Sequence, residues 1–211
     1  MTLTLASAVE RVPAASGPLS ATEERIVSAA LQLIGRRGVK RLAMAEISEA
    51  AGVSRGTLYR YFPSKESVLV AAASYDESRF VGGLAAALDA APAPADRVRA
   101  FVAFSFDYIR THPSRALFET EPEFVLVYLL GHLPRLQAAI LEQLGDALDA
   151  VPAVADGRLT RAQVTDVIVR LFASSWLIAE SDEQALAQSI ADILLPTPSR
   201  PNEEGTGGHR R

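Results

Sequence analysis

The sequence contains no cysteine among its 211 residues, which excludes disulfides, thiolate zinc sites and cysteine nucleophiles. The three histidines are scattered, and neither metal-ligand spacing, a glycine-rich phosphate loop nor a Ser/His/Asp arrangement is present. No uninterrupted apolar run approaches the roughly 20 residues of a membrane span, and the first residues do not resemble a signal peptide. We therefore expect a cytoplasmic protein that contacts no membrane, is not an enzyme and binds no cofactor or metal.

Apolar residues recur at helical spacing through most of the chain, and no stretch shows a convincing strand pattern. The net charge of −4 is unevenly distributed along the sequence. Residues 20–66 carry eight basic and five acidic side chains, whereas residues 67–195 carry nine basic and seventeen acidic ones. A basic segment joined to an acidic remainder indicates that only the basic segment meets phosphate.

Two short helical patterns meet at a tight turn within residues 43–65. Gly52 supplies the left-handed backbone conformation that ends a helix at low cost. Ser54 is a good N-cap for the second helix, whose inner positions are Leu58 and Phe62. Two helices joined by a short turn that contains glycine form a helix-turn-helix, whose second helix enters the DNA major groove.

Polar tips cover the outer side of the second helix of this motif. Gly56 in that helix permits either close approach of the backbone to DNA or tight packing on the preceding helix, and both interpretations remain open. We expect Arg55, Thr57 and Arg60 near base edges. Tyr59, Tyr61 and Lys65 are expected to contact phosphate. The predicted DNA-binding residues are Ser54, Arg55, Gly56, Thr57, Tyr59, Arg60, Tyr61 and Lys65.

The run from Ala50 to Glu66, AAGVSRGTLYRYFPSKE, resembles the TetR family of bacterial transcriptional regulators. The motif is long and specific, and the resemblance covers about residues 20–70. It implies an all-α protein of about nine helices, with a three-helix DNA-binding head followed by a helical ligand-binding and dimerisation domain. Many members of the family carry threonine where this chain has Ala43. That threonine caps the first helix of the motif and often contacts a phosphate.

We divide the chain accordingly. Residues 1–19 are predicted to be a disordered arm, 20–66 the DNA-binding domain with its motif at about 43–62, 67–195 the ligand-binding and dimerisation domain, and 196–211 a disordered tail. Below, residues 20–66 are called the head and residues 67–195 the body.

Caps and breakers set the expected helix boundaries. The predicted N-caps are Ser20 or Thr22, Ser54, Ser64, Asp96, Thr160 and Ser181. Gly131 and Pro134 are expected to interrupt a long apolar helix that continues to about Leu148, and residues 149–159 are expected to form a loop. The carboxylates of Glu119, Glu121 and Glu123 are predicted to form a solvated acidic turn and not a metal site, while Asp107 pairs with Arg110 on an exposed face.

A small-molecule site is expected in the body, with mostly apolar walls and few polar anchors, which suits an apolar or aromatic ligand. The same side chains also fit an ordinary core, and for His112 a helix-end role competes with ligand contact. The candidate wall residues are Phe101, Ser105, Tyr108, His112, Phe118, Phe124, Tyr128, Phe172 and Trp176.

The helix that begins at Ser64 is expected to be the covalent lever between head and body. Residues 82 and 83, both glycine, make either a weak point in this lever or a place where the helix frays. The ligand is expected to touch this helix at about residues 75–84, or the helices packed on it.

The penultimate helix is apolar over much of its circumference and must be covered on both sides. In the resembling family the last two helices form a four-helix dimer bundle, so we expect a homodimer through residues 160–195. The leading functional hypothesis is a repressor that binds a palindromic double-stranded DNA operator and is released by a small-molecule effector. Two alternatives are a helical small-molecule-binding protein or enzyme with a vestigial head, and a regulator that binds DNA without a ligand.

Overall fold

The computed structural model describes residues 19–113, 115, 117–177 and 182–195. The first eighteen residues, the segment 196–211 and the predicted cap Ser181 lie outside these ranges, so the predicted arm and tail are not described. Within the described helices, the side chains left undescribed are those of Phe118, Glu119, Val127, Trp176, Leu177 and Glu183.

The described residues form helices and no strand, which confirms the all-α prediction. The helices are α1 Ala21–Arg37, α2 Met44–Ala50, α3 Arg55–Tyr61, α4 Lys65–Asp89, α5 Pro94–Thr111, α6 Leu117–Thr120, α7 Pro122–Leu144, a 3-10 helix Gly145–Ala150, α8 Pro152–Ala155, α9 Arg161–Leu177 and α10 Glu183–Leu194.

Helices α1 and α3 of the head begin where their caps predict. Ser20 accepts a hydrogen bond from the Glu23 N–H, and the Glu23 carboxylate accepts one from the Ser20 N–H, which makes a complete capping box. Gly38 ends α1 with a φ of 79°. Ser54 caps α3 by accepting a hydrogen bond from the Thr57 N–H at 3.0 Å. These local signals explain why the head could be read from sequence.

Helix α2 begins without a side-chain cap. Ala43 occupies the N-cap position with extended backbone (φ −115°, ψ 140°), and its methyl group offers no acceptor. The turn after α2 contains Gly52 at φ 63°, the left-handed conformation that the sequence predicts.

Helix α4 runs without interruption from Lys65 to Asp89, through both Gly82 and Gly83. A Cβ added at Gly83 would lie 2.7 Å from Cζ of Phe104, so this glycine allows α5 to pack closely on α4. A Cβ at Gly82 would meet no atom within 4 Å. Because a change at Gly83 would disturb the α4–α5 contact, the two glycines cannot serve together as a simple test of lever stiffness.

Three boundaries in the body differ from the prediction. Helix α5 begins at Pro94 and not at an Asp96 cap, because proline fits the first helical turn and lacks an N–H that would need a partner. Helix α7 continues through Pro134; the carbonyl that loses its partner belongs to Leu130, which is 64% exposed. The predicted loop 149–159 contains the end of the 3-10 helix and α8.

The last two long helices have the predicted kind of start. Thr160 and Gln163 form the expected capping box at α9, with the Gln163 side chain accepting from the Thr160 N–H at 2.8 Å. At α10 the cap is Asp182, whose carboxylate accepts from the Ala185 N–H at 2.9 Å. The prediction of a capped helix there is correct, but the described cap lies one residue after Ser181.

The stretch Pro122–Ala150 is long and apolar enough, by length and composition, to cross a membrane, and it is the one such stretch within the described ranges. A core helix of a soluble protein passes the same test. Helix α7 is apolar around most of its circumference. One side faces the interior of the protein, whereas Leu126 and Leu130 on another side are exposed.

Two hydrophobic clusters make up the core. The body cluster joins α4, α5, α7, α9 and α10 around Phe101, Leu84 and Ile168. The head cluster is built mainly from α1–α3, but it also takes Leu69 from α4 and Val125 from α7. The predicted boundary between head and body therefore falls in the first turn of α4, a helix that contributes to both clusters.

Replacing Ala43 with threonine should supply the cap that α2 lacks. The backbone at position 43 already has N-cap geometry, so a hydroxyl there can accept from the first turn without rearrangement. An N-cap side chain contributes about 0.5–2 kcal/mol to stability. The midpoint of thermal unfolding should therefore rise.

A matched control is Ala45→Thr, at an exposed position inside α2. A β-branched residue loses side-chain freedom within a helix, so this variant should unfold at a slightly lower temperature than the parent. A fall in midpoint for Ala43→Thr similar to that of the control would show that position 43 does not cap α2.

Candidate DNA interface and ligand cavity

The outer face of α3 is open to solvent along its length. Arg55 and Arg60 are exposed, Tyr59 is 50% exposed, and the guanidinium of Arg60 lies over the ring of Tyr61 at 5.1 Å from its centroid. Leu58 on the opposite face is fully buried. The Ser54 and Thr57 hydroxyls are 2.9 Å apart at the start of the helix. Arg55, Tyr59 and Arg60 are therefore on the open side of the head, whereas Tyr61 also packs against the head core.

Lys65 has a structural role that the sequence did not indicate. Its ammonium group donates hydrogen bonds to the backbone carbonyls of Val39 and Lys40, in the link of residues 38–42 between α1 and α2. A lysine ammonium has three donors, so these two bonds leave capacity for a phosphate oxygen. Lys65 thus joins the start of α4 to the α1–α2 link.

Glu121 contacts the same link from the other side and corrects the prediction of a solvated acidic turn. The residue is 8% exposed, and its Oε1 accepts a hydrogen bond from the Lys40 N–H at 2.9 Å. A Cβ added at Gly38 would lie 2.3 Å from that oxygen, so only glycine fits there. Glu121 precedes α7, and sequence spacing alone could not show that its partner lies 81 residues earlier.

A cavity of about 130 Å³ lies between the head and the body. It is lined along α4 from Leu69 to Phe80, a rise of roughly 16 Å at 1.5 Å per residue. Leu31 and Ile34 of α1 border it on the head side, and Phe172 of α9 borders it on the other. The cavity is therefore a narrow, mostly apolar channel with walls from both parts of the protein.

The structure brings five of the nine predicted wall residues to this cavity: Tyr108, His112, Phe124, Tyr128 and Phe172. Phe101 and Ser105 do not line it; they border a separate void of about 10 Å³ under α9 and α10. They share a helix with Tyr108 but lie deeper in the body core. The side chains of the two remaining residues, Phe118 and Trp176, lie outside those that the structure describes.

The polar part of the cavity centres on Asp76. Its Oδ1 accepts a hydrogen bond from the Tyr108 hydroxyl at 2.6 Å and lies 2.9 Å from Nε2 of His112. Asp76 and Glu77 both line the cavity, and no described lining residue is a lysine or arginine, although Glu77 pairs with Arg135 at 4.0 Å. The two carboxylates were missed from sequence because polar residues on a long helix are usually solvated.

Both tyrosines at this centre keep their protons. Burial raises the pKa of the Tyr108 hydroxyl well above its usual range, and the charge of Asp76 and the hydrogen bond to it raise this pKa further. Burial also raises the pKa of Tyr128, with further contributions from the charges of Asp76 and Glu77. Each hydroxyl remains a hydrogen-bond donor near neutral pH.

His132 adds another polar group to the cavity wall. It is 6% exposed and stacks on Tyr128 with ring centroids 4.2 Å apart. Its Nδ1 lies 2.8 Å from the backbone carbonyl of Tyr128, while its Nε2 is buried and has no hydrogen-bond partner among the described residues. In the sequence His132 is one of three scattered histidines, and its stacking and orientation depend on the fold.

Comparison with known proteins identifies the head. The family model of the bacterial regulatory proteins of the tetR family matches residues 26–72, which hold most of α1, all of α2 and α3 and the start of α4. The chain belongs to the TetR family. As a member of the TetR family it is a DNA-binding transcriptional regulator, which confirms the leading class of function predicted from sequence.

Relatives extend the likeness beyond the TetR head. Over 193 residues the chain is 28% identical to an uncharacterized HTH-type transcriptional regulator of Mycobacterium tuberculosis, covering 88% of this chain and 91% of that one. The structure of FadR from Bacillus subtilis in complex with stearoyl-CoA superposes with a TM-score of 0.61 at 18% identity, covering 82% of this chain and 97% of FadR.

A second solved structure shows the same TetR fold. AibR in complex with isovaleryl coenzyme A and operator DNA gives a TM-score of 0.59 at 18% identity, covering 83% of this chain and 98% of AibR. At this level of identity the likeness to FadR and AibR establishes the fold of the body and leaves the residues of its cavity to be judged on their own geometry.

Tyr108 and Tyr128 should remain protonated above pH 10, where a tyrosine in water ionises. Because their folded-state pKa values lie above the unfolded values, they contribute stability that is fully present below about pH 10 and is lost as the pH rises further. Absorbance titration of Tyr108→Phe and Tyr128→Phe should give the parent's phenolate signal up to the alkaline unfolding transition. A smaller signal before unfolding in either variant would contradict the assigned shifts.

Proposed function

We propose that this TetR-family regulator is a repressor that binds a palindromic operator as a homodimer and is released by an apolar small molecule. The observation that carries the proposal is the cavity, whose walls include α1 of the head as well as α4, α7 and α9 of the body. A ligand in this position touches the head and the body at once. We propose that the protein acts as a regulator in the cytoplasm and not as an enzyme.

Release requires the ligand to bind the DNA-incompetent state more tightly than the competent one. Two connections transmit the change. Helix α4 runs from the head into the body. Helix α7 contributes Val125 to the head cluster, and Glu121, which precedes α7, accepts a hydrogen bond from the Lys40 N–H. A ligand that displaces α7 or α4 therefore changes the support of the α1–α2 link. A coupling of about 1–3 kcal/mol weakens operator binding roughly 5- to 150-fold.

The wall chemistry supports an apolar ligand. FadR and AibR were solved with acyl-CoA molecules, and an acyl or alkyl chain matches the narrow apolar channel described above. The carboxylates of Asp76 and Glu77 disfavour a negatively charged group inside the channel. The buried portion of the ligand is therefore proposed to be uncharged.

The proposal is tested by selecting binding sites for the full chain from random double-stranded DNA and measuring operator affinity by fluorescence anisotropy. The expected result is a palindromic site whose binding weakens at least fivefold on addition of an apolar compound that occupies the cavity. Selection of a palindrome with no release by any compound shown to bind the cavity would leave a ligand-independent regulator. Failure to enrich a palindrome would reject the dimeric operator model.

The proposed division of DNA contacts is tested at Lys65 and Arg55. Lys65→Ala should weaken binding to all sequences alike and lower the dependence of log K on log salt by about one unit, because one phosphate contact is lost. Arg55→Ala should relax base preference at one position of each half-site.

Arg158→Ala is a matched control, since Arg158 is an exposed arginine in the body that pairs with Asp156. It should change neither base preference nor the salt dependence. Because Lys65 also bonds to the α1–α2 link, the unfolding midpoint of Lys65→Ala is measured first. A changed base preference with an unaltered salt slope for Lys65→Ala would reassign Lys65.

The homodimer is proposed to form through the exposed apolar side chains of α9 and α10. Val167 and Leu171 are 49% and 42% exposed on α9, and Ile193 is 78% exposed on α10. Val167 and Leu171 lie one turn apart on α9, and exposed apolar patches of this kind mark interaction sites. Two-fold symmetry would set the two heads about 34–36 Å apart, one turn of DNA.

The protein should therefore sediment as a dimer at micromolar concentration, and the double variant Val167→Asp, Leu171→Asp should sediment as a monomer. Leu159→Asp is the control, because Leu159 is 38% exposed but precedes α9. A dimer that survives the double variant, or a parent that is monomeric, would reject this interface.

A further inference from the structure

Nε2 of His132 is one of three buried side-chain atoms without a hydrogen-bond partner among the described residues; the other two are Ser105 Oγ and Gln143 Oε1. The Nδ1 of His132 lies 2.8 Å from a carbonyl oxygen, that of Tyr128. A carbonyl oxygen only accepts hydrogen bonds, so Nδ1 must carry the proton. In the neutral ring, Nε2 then holds a lone pair and can only accept. This acceptor is buried in the cavity wall without a partner among the described residues.

An unpartnered buried acceptor is costly, and proteins satisfy most of them. The ring cannot turn freely to find another partner, because it stacks on Tyr128 at 4.2 Å with an interplanar angle of 19° and is fixed by its Nδ1 bond. Turning the ring over would place Cδ2 against the Tyr128 carbonyl and lose the Nδ1 hydrogen bond. Because His132 lines the cavity, the cavity offers a route by which a ligand group can reach the ring.

The polar groups that line the same cavity restrict the chemistry of that partner. Asp76 and Glu77 are acceptors, and the hydroxyl of Tyr108 already donates to Asp76. Both carboxylates act on the hydroxyl of Tyr128, the residue on which His132 stacks, by raising its pKa. A carboxylate or phosphate would meet the like charge of Asp76, with Glu77 partly offset by its pair with Arg135, and would bring no donor. A hydroxyl group brings a donor without a negative charge.

We propose that the effector of this regulator is an uncharged molecule with an apolar body and a hydroxyl group, and that His132 Nε2 accepts the hydrogen bond from that hydroxyl. The inference rests on the proposed ligand-released function and specifies the class of ligand. His132 is then the residue that distinguishes an alcohol from an ether, a hydrocarbon or a fatty acid of the same size.

The test uses three defined probes with the full chain: n-octanol, its isomer heptyl methyl ether, and octanoate. The ether retains the size and the oxygen but has no hydrogen to donate. Isothermal titration calorimetry at pH 8 should show n-octanol binding about five- to tenfold more tightly than the ether, the factor expected for one net hydrogen bond. Octanoate should bind more weakly than both.

His132→Phe keeps a ring to stack on Tyr128 and removes the acceptor. In this variant n-octanol and the ether should bind equally well. Ser105→Ala is the matched control, because the Ser105 hydroxyl is also buried without a partner but borders the separate small void. It should retain the parent's preference for the alcohol. If Ser105→Ala also loses the preference for the alcohol, the loss in His132→Phe would be explained by general loosening of the body.

A second measurement does not depend on any substitution. In ¹⁵N spectra of histidine-labelled protein, the Nε2 resonance of His132 should shift on addition of n-octanol, in the direction of hydrogen-bond acceptance, and should not do so with the ether. The acceptor role is overturned if the parent binds ether and alcohol equally, if His132→Phe keeps the alcohol preference, or if none of the three probes binds.

Operator binding is followed in parallel to separate this inference from the proposed function. If n-octanol binds with the predicted preference but leaves DNA bound, the assignment of His132 stands and ligand release fails. If another compound releases the operator while the alcohol preference is absent, ligand release stands and the assignment of His132 fails.

Discussion

The arrangement of head on body depends on hydrogen bonds to the backbone of the α1–α2 link. Glu121 accepts from the Lys40 N–H, and Lys65 donates to the carbonyl of Val39. Gly38 leaves the space that the Glu121 carboxylate occupies. Because the bonds on the link are made by main-chain atoms, the contact constrains the path of the chain and not the side chain at position 40. A buried carboxylate of this kind is costly to leave unpaired, so the link and α7 are held together.

This contact gives the regulator a connection between its two parts besides α4. The sequence predicted α4 as the covalent lever, and α4 does contribute to both hydrophobic clusters. Helix α7 also reaches the head, through Val125 in the head cluster and through Glu121 before its first turn. The cavity is lined by residues of these two helices and of α1, so its occupant contacts both helices that connect the body to the head.

Much of the head could be predicted from sequence because its signals are local. Ser20, Gly38, Gly52 and Ser54 act within a few residues of where they stand, and each takes the predicted conformation or cap. Glu121 could not be predicted in the same way, since nothing near it in sequence distinguishes a buried carboxylate from an exposed one. Its environment is set by residues 38–40, which only the folded chain brings close.

Prediction of the cavity from sequence is limited in the same way, even for residues on one face of a helix. Periodicity placed Ser105 and Tyr108 on the inner side of α5, and both are on it, but periodicity does not say which neighbour each will meet. Ser105 faces α9 and α10, whereas Tyr108 reaches Asp76 on α4. The polar centre of the cavity is thus made from residues on three helices, and no sequence motif links these residues. The ligand chemistry of the cavity depends on which polar atoms already bond to other protein atoms. Nε2 of His132 is a buried atom without such a partner among the described residues, and we propose that a ligand hydroxyl bonds to it.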